Sequence, residues 1–136
     1  MSDDDFQAKA AFYDSSYASS LAIMIENLFK IARLMDNHKL HALANQSLEK
    51  QLAAFKNRPS QYPRGLSAYL QSLLSVVVLK SIKVNLLKNK ATINIVTYPY
   101  LLLKPSEDAN FLACKIDTCF AIDKNLHKVI KKVEGL

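Results

Sequence analysis

Ser75-Val76-Val77-Val78-Leu79 divides this chain of 136 residues into two unlike parts. Four aliphatic residues in a row, three of them β-branched, carry no helical periodicity. They suit a strand that is buried on both faces. Upstream the apolar residues recur at steps of three and four, and downstream short alternating runs take over. The class this implies is α+β. An N-terminal antiparallel helical hairpin and a third helix occupy residues 1–74. A small α/β subdomain with about three strands and a C-terminal helix occupies residues 75–136.

Moving back toward the N-terminus, Leu66, Leu70, Leu73 and Leu74 give the third helix an apolar face, with Pro63 suited to its first turn. Asn57-Arg58-Pro59-Ser60 ends the helix before it, because proline disfavours the helical region at its preceding residue. That second helix carries Leu40, Leu43, Ala44, Ser47, Leu48, Leu52 and Phe55 on one stripe. The first helix carries Leu21, Met24, Ile25, Leu28, Ala32 and Met35. Ser19 or Ser20 is placed to cap it, and Asp36 or Asn37 to cap the second. So short a break between two amphipathic helices makes a hairpin.

Moving forward, residues 81–89 suit a short helix or a second strand, the helix being favoured, and Thr92-Ile93-Asn94-Ile95-Val96-Thr97 alternates as a strand does. Tyr98-Pro99-Tyr100 closes it, and Leu101-Leu102-Leu103 extends it or starts another element. Leu112, Cys114, Ile116, Thr118, Phe120 and Ile122 repeat every second residue, as one strand or a bent pair. Asp123 is positioned to cap a last helix with Leu126, Val129, Ile130 and Val133 inward, ended by Gly135.

Half of the residues are apolar, which rules out the composition of a disordered chain. No apolar run approaches the length of a membrane span. The first residues, Met1-Ser2-Asp3-Asp4-Asp5, are acidic where a secretory leader is basic. With two cysteines and no export signal, a reducing, cytoplasmic setting is expected. The net charge is +6, spread along the sequence, with Lys80, Lys83, Lys88 and Lys90 the nearest approach to a nucleic-acid patch.

Two glycines cannot build a phosphate loop, a dinucleotide fingerprint or a nucleophile elbow. Cys114 and Cys119 are five apart. If residues 115–118 turn tightly, the sulfurs meet as a disulfide or on a metal; if the segment is straight, they are small buried apolar residues. A zinc site would need further ligands, and His127 is the nearest. His38 and His41 share a helical face, as solvent-facing residues or a weak metal or anion site. Of the carboxylates, Asp14 and Glu26 alone approach a cleft, and Glu26 reads as a solvated helix residue. Tyr98 and Tyr100 fit a core edge or a stacking platform. No cofactor and no metal are expected.

Three stretches carry a resemblance. Residues 12–20, Phe-Tyr-Asp-Ser-Ser-Tyr-Ala-Ser-Ser, are followed by the helix Glu26-Asn27-Leu28-Phe29-Lys30-Ile31-Ala32-Arg33-Leu34. Tyr62-Pro63-Arg64-Gly65-Leu66 leads into Leu73-Leu74. Phe111-Leu112-Ala113-Cys114 leads into Cys119. In that order they resemble the C-terminal end of thioredoxin-domain proteins with an (α/α)6 barrel, relatives of the N-acylglucosamine 2-epimerase fold and of the spermatogenesis-associated thioredoxin-like proteins. The resemblance implies that residues 19–57 form one hairpin of a partial (α/α) barrel whose remaining helices and thioredoxin domain are not in this chain. It carries over Asp14 and Ser19 as site residues. The family's polar loop here reads Ala18-Ser19-Ser20-Leu21-Ala22, and Leu21 cannot hydrogen-bond a sugar hydroxyl.

The function this implies is that of a non-catalytic fragment or split subunit, acting through the rest of such a barrel or through a second copy of itself. The alternatives are a carbohydrate-related or thiol-redox enzyme domain using Asp14 or the cysteine pair, and a basic nucleic-acid-binding module.

Overall fold

A computed structural model describes residues 19–136. Helix α1 (Ser20–Leu34) begins at Ser19, whose hydroxyl accepts the Ala22 N–H at 3.2 Å. Helix α2 (His38–Asn57) begins at Asn37, whose side chain accepts the N–H groups of Lys39 and Leu40. A 3₁₀ turn, Pro59–Gln61, leads to α3 (Pro63–Leu74) with proline in its first turn. Asp36, in the link between α1 and α2, takes a left-handed φ of 50°, a conformation Asp tolerates at a helix end.

The valine run becomes strand β1 (Val77–Ser81). Helices α4 (Lys83–Lys88) and α5 (Lys90–Asn94) follow, then strands β2 (Leu101–Pro105), β3 (Phe111–Cys114) and β4 (Cys119–Asp123), and helix α6 (Leu126–Glu134). The sheet order is β2-β1-β3-β4, with β1 parallel to β2 and the other pairs antiparallel. The protein is α+β, and among the described residues its sheet has four strands rather than about three.

Helices cover both faces of the sheet. Val77, Leu79, Phe111, Ala113 and Ala121 pack with Leu86 of α4, Ile93 of α5 and Leu126, Val129 and Val133 of α6. Ile25, Phe29, Ala44, Leu48 and Ala68 of α1–α3 form a second cluster with Val76, against which Tyr100 and Leu102 pack. This two-sided cover is why β1 is a run of aliphatics instead of an alternation.

Three expectations need correction. Residues 92–97 are not a strand: α5 runs through Asn94, Ile93 is buried and Ile95 is exposed. Parallel neighbours β1 and β2 require a crossover passing over a sheet face, and α4–α5 is that crossover. Local β-propensity yields to this demand. The last helix is capped by Asn125, which accepts the His127 N–H, while Asp123 accepts the Asn125 N–H one step earlier. The helix stripes are also turned relative to the sequence reading. The buried residues of α1 are Ala22, Ile25, Glu26, Phe29, Ala32 and Arg33, leaving Met24 and Met35 exposed. In α2, Ala44 and Leu48 are buried but Leu43 is exposed. In α3 the buried residues are Gly65, Ala68 and Gln71, so Leu70 and Leu73 are exposed.

Candidate functional site

The rotation of α1 and α3 leaves two apolar stripes uncovered. Met24, Ile31 and Met35 succeed one another at helical steps along α1, and Met35 is 64% exposed. Leu70 and Leu73 lie on one side of α3 beside half-buried Leu66 and Leu74, and Leu73 is 62% exposed. Each helix therefore carries more apolar surface than this core uses.

Polar side chains fill part of the interior in their place. Glu26 is buried on α1 and pairs with Arg64 of α3, Nη2 to Oε2 at 2.6 Å. It is not a solvated helix residue. Gln71, also buried, donates through Nε2 to the Glu26 carbonyl at 3.1 Å. Arg33 is buried at the end of α1, where its Nε donates to the Cys114 carbonyl at 3.2 Å and its Nη1 to Asp36. Lys104 donates to the Leu34 carbonyl at 2.6 Å and lies 3.2 Å from Asp36; Lys80 lies 3.7 Å from it. Three cations thus meet one carboxylate where α1 ends above the sheet. Cations beside the last carbonyls of a helix are favourable there.

Partial burial pushes the Asp36 carboxyl upward, but the hydrogen bonds from Arg33 and Lys104 and the charge of Lys80 outweigh it, and the net pKa is lowered. A depressed folded pKa stabilises the protein above the unfolded value of about 4 and ceases to do so as pH falls through the folded value. Asp36→Asn is therefore expected to lower the urea midpoint at pH 7 by an amount corresponding to at most about 1 kcal/mol, since the carboxyl is half exposed. The difference from wild type should shrink as pH is lowered from 7 to 2, through the Asp36 titration. An equal difference at both pH values would show that the charge is not responsible.

Beside this cluster is a cavity of about 150 Å³. Phe29, Val76 and Ile116 form its apolar wall; Arg33, His41, Asn45, Gln71, Ser72 and Ser75 form its polar wall. Among the described residues the buried Gln71 Oε1 has no hydrogen-bond partner. His41 Nδ1 lies 3.2 Å from the Asn45 amide nitrogen, and its ring meets Phe29 edge-on. Burial lowers the His41 pKa against the opposing pull of Asp117. The volume is that of a benzene-sized cavity, below the range of pockets that enclose a substrate. Among the described residues no carboxylate and no sulfur lines it.

The sulfurs of Cys114 and Cys119 do meet, as a disulfide across β3 and β4. Residues 115–118 form the tight turn, closed by the Lys115 N–H donating to the Thr118 carbonyl at 2.8 Å. The reading of two separate buried apolar residues is thereby replaced. Asp117 on this turn faces His38 at 3.5 Å. His127 is exposed at the start of α6, and among the described residues no three ligating side chains gather for a metal.

Asp14 lies outside the described residues. Ser19 is buried as a helix cap. Tyr98 and Tyr100 are core-edge residues that meet edge to face, and the Tyr98 hydroxyl lies within reach of the Leu74 and Ser75 carbonyls. The four lysines do not form one patch. Lys80 turns toward Asp36 on the α1 side, whereas Lys83, Lys88 and Lys90 belong to α4–α5 on the other face.

A different basic surface is written in the sequence at helical spacing, outside the run at residues 80–90. Lys128, Lys131 and Lys132 are spaced three and four apart and share the outer side of α6. No known family model, curated protein or solved structure matches the chain.

Proposed function

We propose that this chain acts by association with another protein surface, a second copy of itself being the simplest partner, and not by catalysis. One observation carries the reading: α1 and α3 bear apolar stripes that their own core leaves in water, at Met24, Ile31 and Met35 and at Leu70 and Leu73. Contiguous apolar surface of this kind marks contact sites. In its finer form this is the partial-barrel reading, in which the α1–α2 hairpin and α3 take their place beside the remaining helices of an (α/α) barrel supplied by a separate chain. The stripes are where neighbouring hairpins would lie.

Sedimentation equilibrium tests the self-association form. Wild type should gain mass between about 1 and 100 µM, more strongly as salt screens the +6 charge. Leu70→Glu with Leu73→Glu should remain monomeric over that range with an unchanged thermal midpoint, because surface substitutions rarely disturb the core. A wild type that stays monomeric at every concentration and salt would remove this form.

A further inference from the structure

The end of the sheet opposite β2 offers a surface independent of the helical stripes. β4 is the last strand of the sheet, and among the described residues no strand lies beside its outer edge. Edge strands are ordinarily guarded by proline or lysine. The other edge has both, Lys104 and Pro105, within β2. β4 reads Cys-Phe-Ala-Ile-Asp and has neither.

Alongside this edge runs a groove of about 330 Å³ between β4 and α6. Ala121 and Val129, both buried, are its apolar floor, and Lys128, Lys131 and Lys132 are its wall. Lys128 reaches Asp123 at 3.6 Å. Among the described residues, Lys131 and Lys132 have no carboxylate within ion-pair distance. The groove thus combines the main-chain donors and acceptors of an edge strand, a small apolar floor and a net positive charge, three lysines against the one carboxylate of Asp123.

We infer that this groove takes an extended peptide in which acidic and small apolar residues alternate, added to the sheet as a strand beside β4. Strand addition draws affinity from main-chain hydrogen bonds and selectivity from alternate side chains. With a period of two, the carboxylates on the α6 side of the added strand meet the α6 lysines, an electrostatic match that selects the partner's charge. The apolar set lies on the other face, beside exposed Ile122 of β4. A nucleic acid would use the lysines but not the strand edge, and the groove lining contains no aromatic ring for a base to stack on.

The test uses a fluorescein-labelled Glu-Val-Glu-Val-Asp-Val peptide with the full chain. It is compared with the same peptide N-methylated at alternate residues, with its lysine counterpart, and with a single-stranded oligonucleotide. Anisotropy should give a dissociation constant on the order of 10–100 µM for the acidic peptide. Affinity should be at least about tenfold weaker for the N-methylated and lysine peptides, and for Lys131→Glu with Lys132→Glu. Amide NMR shifts should centre on residues 119–124 and 128–132, and circular dichroism should show the variant folded. No shifts at 1 mM peptide would overturn the proposal. So would equal binding of the N-methylated peptide, which would reduce the site to charge alone, or tighter binding of the oligonucleotide at the same residues.

Discussion

Arg64→Ala is expected to lower the unfolding free energy by about 3 kcal/mol, although Arg64 itself is half exposed. The reason lies with its partner. The Glu26 side chain is only 4% exposed, and the guanidinium at 2.6 Å is the cation paired with it. Removing one member of a buried pair leaves an uncompensated charge, a change of about 3–5 kcal/mol. The lower end applies because water reaches the arginine. The double variant Arg64→Ala, Glu26→Gln removes the stranded charge and should recover more than half of the loss in urea denaturation. If Arg64→Ala moves the midpoint by less than about 0.5 kcal/mol equivalent, the ion pair is not what joins α1 to α3.

Leu79→Ala should destabilise by about 3–4 kcal/mol, the range for a fully buried leucine whose site cannot collapse. Leu79 is 1% exposed in the central strand, with Ala113 beside it on β3 and both sheet faces covered. Leu73→Ala, six residues earlier, should change stability by less than about 0.5 kcal/mol, because Leu73 meets solvent. Both leucines sit in apolar stretches of the sequence, so this pair of measurements reports directly on the rotation of α3. Comparable losses at the two positions would contradict the packing described.

Why that rotation was hidden in the sequence is a physical matter. The boundaries of the helices were legible, since Ser19, Asn37, Pro59 and Pro63 act through local backbone chemistry. The valine run was legible because only a strand covered on both sides has that composition. The inward side of α1 and α3 was not. Both helices have apolar residues around more than half of their circumference, and the core admits Glu26, Arg33 and Gln71 because each finds a partner distant in sequence. Arg33 meets the Cys114 carbonyl 81 residues away, a pairing that no local pattern encodes. Residues 92–97 failed for a related reason: alternation records a local preference, whereas the parallel pairing of β1 with β2 is decided by the chain as a whole.

The cavity was out of reach of the sequence reading because its polar wall is drawn from α1, α2 and α3, which sequence patterns read one at a time. The α6 lysines, in contrast, lie within one short window at helical spacing and are legible in the sequence, though the run at residues 80–90 is the denser one.

The disulfide has two unlike ends. Cys114 is buried beneath α1, with its carbonyl held by Arg33, while Cys119 is exposed where the turn re-enters β4. Thiol exchange proceeds by attack of a thiolate on whichever sulfur it can reach. The Cys119 end of the bond is thus the one turned toward solvent, and a thiolate that bonded to that sulfur would release Cys114 as a thiolate inside the protein.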